Sequence, residues 1–229
     1  MGCFSVMFRE NMAKNGPIIH GTTTVGLVFK GGVVIAADKR ASAGSIIASK
    51  RAVKIHKISD YVAMTISGTV ADAQVLVRWL RTRVQVFKLN VEREPTVIEL
   101  VSLLSNVMHS YFKRLMPFIT HFVVGGVDVT GPHIVFLDHA GSMQEEKFIA
   151  TGSGSPIALG VLEDGFRENL SQESAIRLTL SALRSAMLRD VFSGDGIDLA
   201  VITRKTGFRK LTPEEIDRYI KLSSLEVST

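Results

Sequence analysis

A threonine can serve as nucleophile and base together only at the start of a chain, where its hydroxyl shares a residue with a free α-amine. The segment His20-Gly21-Thr22-Thr23-Thr24-Val25-Gly26 offers that possibility. A cut after Gly21 would give Thr22 an α-amine with a reference pKa of about 8, able to take up the hydroxyl proton near neutrality. An internal threonine hydroxyl has no such base. Taken alone, the segment also reads as a glycine turn followed by β-branched strand formers, so the chemistry depends on what else the chain can bring to it.

Three further segments supply candidates. Gly31-Gly32-Val33-Val34-Ile35-Ala36-Ala37-Asp38-Lys39-Arg40 is an apolar, strand-like run that ends on an acid. Ser49-Lys50-Arg51-Ala52-Val53-Lys54-Ile55 places Lys54 between apolar neighbours in a second apparent strand, and Ala63-Met64-Thr65-Ile66-Ser67-Gly68 is a third strand ending in Ser-Gly. A lysine buried in such a strand needs a counter-charge, because an unpaired buried ammonium costs several kcal/mol. Asp38 can provide it. Read singly, Lys54 is a solvated surface lysine, Asp38 a turn-capping acid and Gly68 a plain turn.

In this order, Gly-Thr-Thr-Thr-Val-Gly-Leu, Asp38, Lys54, Ser67-Gly68 and Arg189-Asp190-x-x-Ser193-Gly194-Asp195-Gly196-Ile197-Asp198 resemble the catalytic β-subunits of the proteasome, the archaeal type most of all. The resemblance runs from Gly21 to about Arg204. It implies that residues 1–21 are a propeptide removed by self-cleavage between Gly21 and Thr22, leaving 22–229 as the peptidase domain. Thr22 would be the nucleophile, with Lys54 beside it and Asp38 as the lysine's acidic partner. Arg40 would steady their charges, and the Gly68 N–H would face the oxyanion. Ser153, Asp190 and Ser193 would orient the amine and a water. No metal or organic cofactor is implied.

The same resemblance assigns a side-chain pocket to Ala41, Ala52, Ile66, Val70 and the edge of Lys54. Small and aliphatic walls without a carboxylate would favour cleavage after large apolar residues. Ser42 stands where the family usually has a threonine whose backbone pairs with an extended peptide, a main-chain contact that serine preserves. The implied partners are proteasome α-subunits, other β-subunits in stacked heptameric rings, a regulatory ATPase and unfolded polypeptide substrates. Two other readings remain open: a ring subunit that assembles without cutting, and a different N-terminal nucleophile amidase acting on small molecules.

Composition narrows the classes. With 229 residues and 46% hydrophobic content, one sizeable domain is the economical reading. The net charge of +5 is scattered, and no Lys/Arg run exceeds two residues, which argues for solvated surface over a nucleic-acid groove. No apolar stretch reaches the roughly 20 residues needed to cross a bilayer. The leader carries Arg9, Glu10, Lys14 and Asn15 where a signal core would be apolar, so a soluble, cytoplasmic protein is expected. Cys3 is the only cysteine, so a chain shorn of its leader would have none for a disulfide or thiolate site. His133 and His139 flank a strand rather than forming a helical ligand pair, and zinc is not expected. Thr151-Gly152-Ser153-Gly154-Ser155 lacks the lysine of a phosphate loop.

These residues must be positioned by the surrounding elements. Apolar runs near 23–30, 33–37, 53–56 and 61–67 predict antiparallel strands. A helical period then takes over, with a helix from Ala71 to Leu89 burying Ala73, Leu76, Val77, Leu80, Val84 and Phe87. Thr96 and Glu99 form a capping-box signature for a second helix from Val97 to about Leu115, burying Leu100, Leu104, Val107 and Tyr111. Strands are expected at 120–127, 133–138 and 143–150, with turns at Gly125-Gly126 and Asp138–Gly141. Ser155-Pro156 reads as a cap and first-turn proline for a helix to Glu168, and Ser171 as the cap of another from Gln172 to about Arg189. A strand over Ile197–Thr203 and a terminal helix opened by Thr212 complete the pattern. The fold class is α+β, and two stacked antiparallel sheets between helix layers is one stable arrangement among several. The resemblance selects that four-layer αββα sandwich, with Thr22 emerging between the sheets.

Overall fold

The computed structural model describes residues 21–226. One antiparallel sheet has the order β10-β1-β2-β11-β12, built from Phe148–Gly152, Thr23–Phe29, Gly32–Asp38, Ile197–Thr203 and Gly207–Lys210. The other has the order β5-β6-β7-β8-β9, from Ile55–Lys57, Val62–Gly68, Thr120–Asp128, Gly131–Leu137 and Met143–Glu146. A short ribbon pairs β3 (Ala41–Ala43) with β4 (Ile46–Ser49).

The sheets bury both faces, and each strand's alternation shows how. In β2, Val34 and Ala36 join a cluster with Ala175, Ile176, Leu180 and Leu183, while Val33, Ile35 and Ala37 face a middle cluster with Ala63, Val123 and Ile134. Successive side chains of a strand point to opposite faces, so one apolar run serves two layers. Helices α3 (Ser155–Gly165), α4 (Gln172–Arg189) and α5 (Pro213–Glu226) cover the first sheet, and α1 (Val70–Val91) and α2 (Val97–Lys113) cover the second. The result is the four-layer αββα sandwich expected of this sequence.

Local signals explain the helix starts. Thr96 accepts from Glu99 N–H at 3.2 Å while Glu99 accepts from Thr96 N–H at 2.7 Å, a complete capping box. Thr212 and Glu215 repeat it, and Ser171 accepts from Ser174 N–H. Ser155 departs from expectation. It is the first residue of α3, Gly154 is the N-cap, and the Ser155 hydroxyl donates to the Gly152 carbonyl.

Other expectations need correction. Gly125 and Gly126 are not a turn but the middle of β7. A Cβ at Gly125 would lie 2.8 Å from Ile35 and one at Gly126 would press on Val97, so these glycines let neighbouring layers close on the strand. The run 143–150 is two strands in different sheets. Polar Met143–Glu146 pairs with β8 at one edge, and apolar Phe148–Gly152 pairs with β1. In α2, Val101 and Met108 are buried, whereas Val107 is half-buried and Tyr111 exposed. Phe87 of α1 is also only half-buried.

Candidate active site

Strand register brings the first site residues together. Antiparallel pairing of β1 with β2 sets Thr24 opposite Ala37, which puts Asp38 beside Thr23 and Thr22. Pairing of β2 with β11 sets Asp38 opposite Ile197 and folds the Ser193–Gly196 turn around the carboxylate from the other side. Lys54 comes from the second sheet. It does not lie within a strand, as the sequence suggested, but just before β5, where its carbonyl accepts from Ile66 N–H at 3.0 Å. Val53 is exposed, so burial at this point is particular to Lys54 and Ile55.

The side chains converge on one hydroxyl. Thr22 is 3% exposed, Asp38 1% and Lys54 6%. The Thr22 hydroxyl donates to Asp38 Oδ1 at 2.9 Å and accepts from Lys54 Nζ, which itself donates to Asp38 Oδ1 at 2.6 Å. Thr23 N–H also donates to Oδ1, while Arg40 N–H and Gly194 N–H, both at 3.0 Å, donate to Oδ2. These donors compensate the burial of the carboxylate. Burial holds the Lys54 ammonium below the ordinary lysine value, and the Asp38 charge works against that shift. Arg40 does not touch Lys54. Its guanidinium donates to Asp195 at 2.7 Å and to the Val191 carbonyl at 2.8 Å, pinning the turn that supplies Gly194.

A second polar group lies across β1. Ser153 and Ser193 each donate to Asp190 Oδ2 at 2.6 Å, Ser193 also bonds the Thr23 hydroxyl at 2.7 Å, and Ser153 reaches the Thr22 carbonyl at 3.3 Å. Asp190 is the C-cap of α4, which fixes its place. Beneath them runs a hydroxyl chain that sequence reading did not single out. Thr65 donates to Thr24 at 2.9 Å, Thr24 bonds Thr151 at 2.7 Å, and Ser67 donates to Thr151 at 3.3 Å. Alternation would have placed Thr24 on the inter-sheet face, but its partners, Thr65 of β6 and Thr151 of β10, lie on two other strands.

Gly68 ends β6 at φ +102°, and a Cβ there would stand 2.5 Å from the Ile119 carbonyl, so no other residue fits without displacement. It borders a cavity of about 400 Å³ together with Thr22 and Lys54. The anticipated Ala41, Ala52, Ile66 and Val70 all line this cavity, and His56 and Gln74 line it as well. His56 was legible only as the next residue but one after Lys54. Its buried Nε2 has no hydrogen-bond partner among the described residues. Ser42 is buried, and its hydroxyl accepts from Gly21 N–H at 3.1 Å, so it holds the residue preceding Thr22. Gly21 is itself confined, because any Cβ there would overlap the Phe192 side chain.

A scan of family models matches the proteasome subunit family over residues 18–202. The chain belongs to the proteasome subunit family. It is 49% identical over 205 residues to the proteasome subunit beta of Methanocaldococcus jannaschii, covering 89% of this chain and 90% of that one. With the proteasome subunit beta 2 of Aeropyrum pernix the identity is 52% over 182 residues, 80% of this chain and 82% of the relative. The proteasome subunit beta of Ferroglobus placidus is 46% identical over 205 residues, 89% and 96% of the two chains. The family match over residues 18–202 spans all the site residues named above. Among the described residues of this family member, no helix is long and apolar enough to cross a membrane, and no group of three or more His, Cys, Asp or Glu is gathered to hold a metal ion.

Proposed function

We propose that this chain is a threonine endopeptidase of a proteasome core particle, made active by its own cut at Gly21–Thr22. The observation that carries the reading is the Thr22 hydroxyl, buried between Lys54 and Asp38 at the start of β1. In the uncut chain the Thr22 nitrogen is an amide. The hydroxyl would attack the Gly21 carbonyl, the Gly21–Thr22 C–N bond would break as the nitrogen takes the proton, and water would open the resulting ester. Residues 1–20, which would leave with Gly21, lie outside the described residues.

The new α-amine then serves as base. It takes the Thr22 proton, directly or through a water, as the hydroxyl attacks a substrate carbonyl. The Gly68 N–H stabilises the tetrahedral oxyanion, and the Lys54 charge favours the deprotonated amine and the developing alkoxide. Collapse expels the substrate amine with the proton, and water hydrolyses the threonyl ester. Ser153, Asp190 and Ser193 hold the start of β1 and are placed to orient the amine and that water. The aliphatic cavity walls favour cleavage after large apolar residues. Family membership supports assembly of the chain with α-subunits and other β-subunits in stacked heptameric rings, fed with unfolded polypeptide by a regulatory ATPase in the cytoplasm.

The test is intact mass together with peptide hydrolysis, on protein co-assembled with α-subunits. The wild-type chain should lose residues 1–21 and hydrolyse peptides with an apolar acyl-side residue. Thr22→Ala should keep its full mass and cut nothing. A wild-type chain that assembles, keeps its leader and hydrolyses no peptide would instead be a non-catalytic ring subunit.

A further inference from the structure

A second cavity, of about 540 Å³, opens on the opposite flank of the β6 end. Ser67 and Gly68 border both cavities, and Gly152 and Ser153 border only the second. In its sheet β6 lies between β5 and β7. The first cavity takes its walls from the β5 side, including Lys54 and His56, and the second from Ile119, His121 and Phe136 on the β7–β8 side and Ile149 of β10. Thr22 stands where the two meet, since its carbonyl is within reach of the Ser153 hydroxyl at 3.3 Å.

We propose that this second cavity is a leaving-side subsite that accepts an apolar, preferably aromatic, side chain just after the scissile bond. The inference rests on the peptidase reading of Thr22. A peptide whose carbonyl sits at Thr22 and Gly68, with its acyl side chain in the first cavity, must carry its leaving side across the second. Extended residues advance about 3.3 Å each, so the first leaving residue comes beside Gly68 and Ser153, which border the cavity.

The chemistry of the walls sets the occupant. Ile119, Phe136 and Ile149 are apolar, and no Asp, Glu, Lys or Arg lines the cavity among the described residues. The hydroxyls of Ser67 and Thr151 are already bonded within the protein. His121 Nε2 is 3.3 Å from His139 Nδ1, and its ring stands 5.9 Å from that of Phe136. His121 thus adds ring surface to the wall beside Phe136. An aromatic side chain fits such a lining, whereas a carboxylate would be desolvated with no Lys or Arg among the lining residues to pair it.

The experiment uses assembled particles and quenched peptides that differ only in the residue after the scissile bond, Phe, Gly or Asp. In the wild type kcat/KM for Phe should exceed that for Gly by about tenfold, in line with what one apolar pocket can discriminate, and Asp should be poorest. Ile119→Asp at the half-exposed rim and Phe136→Ala on the wall should each bring the Phe/Gly ratio towards one. A wild-type ratio near one, or a ratio that neither substitution moves, overturns the subsite while leaving the peptidase reading intact. Failure of the wild type to cut any of the peptides overturns that reading and this one with it.

Discussion

Lys54 Nζ lies 2.6 Å from Asp38 Oδ1, and the two atoms share the Thr22 hydroxyl as a third corner. The ammonium comes from one sheet and the carboxylate from the other, so the contact ties the sandwich together at the point where the nucleophile stands. Asp38 has backbone donors from Thr23, Arg40 and Gly194, so its position does not depend on Lys54. Lys54, by contrast, has Asp38 as its only ion-pair partner among the described residues.

Lys54→Ala should therefore leave the fold in place and stop both the Gly21–Thr22 cut and peptide hydrolysis. Removal of one charge-stabilising group costs about 100- to 1000-fold in rate, some 3–4 kcal/mol. Lys54→Arg should not rescue it, because a planar guanidinium cannot take the place of a compact ammonium against Thr22. The check is kcat/KM and leader removal in assembled particles. Either variant turning over at the wild-type rate refutes the role given to Lys54.

Gly21→Ala tests the junction from the other side. The added methyl would overlap Phe192, so the segment ahead of Thr22 must move and the Gly21 carbonyl with it. Self-cleavage should slow by at least about tenfold, since a misplacement of about 1 Å can cost 100-fold. Gly21→Ala with Phe192→Ala should recover part of the loss. Time-resolved mass spectrometry reads both, and unchanged cutting by the single variant would remove the steric argument.

The pH dependence of stability should carry the signature of His56. Its pKa is lowered from 6.5 chiefly by burial, with the Arg81 charge adding to the effect and a backbone hydrogen bond at Val53 opposing it. A lowered folded-state value means that the unfolded chain binds more protons as pH falls below about 6.5. His56 thus contributes stability that is complete above 6.5 and is lost as pH drops through the folded-state value. The Tm should fall between pH 7 and 5, and less steeply in His56→Gln. Identical slopes for the two proteins would exclude the assignment.

Thr96→Ala should cost about 1 kcal/mol by removing the hydroxyl half of the α2 capping box. For a chain of this size that lowers Tm by roughly 2–4 °C. Glu99, whose pKa is held at about 2 chiefly by its hydrogen bond to Arg93, contributes above pH 4.5 and loses its part only as pH falls towards 2. A calorimetric difference between wild type and Thr96→Ala smaller than a few tenths of a kcal/mol would assign the helix start to packing instead.

Much of the chain was legible residue by residue. The acid at the end of an apolar run, the glycine after β6, the capping boxes and the helical stripes are local facts, because caps, periods and turn chemistry act over a few residues. The order of Gly21-Thr22, Asp38, Lys54 and Gly68 gave the family, and with it the layers. Tertiary structure decided what depends on register and on stacking. It put Lys54 outside a strand yet buried, because the second sheet lies over β1 at that point. It divided 143–150 between two sheets, where Gln144-Glu145-Glu146 can face water at an edge while Phe148-Ile149-Ala150 must be covered. It also placed Gly125 and Gly126 inside β7, since glycine there answers to the closeness of neighbouring layers and not to a turn. The hydroxyl chain from Thr65 to Thr151 and the shared wall of the two cavities join residues far apart in sequence, and only packing brings them within hydrogen-bonding or van der Waals reach.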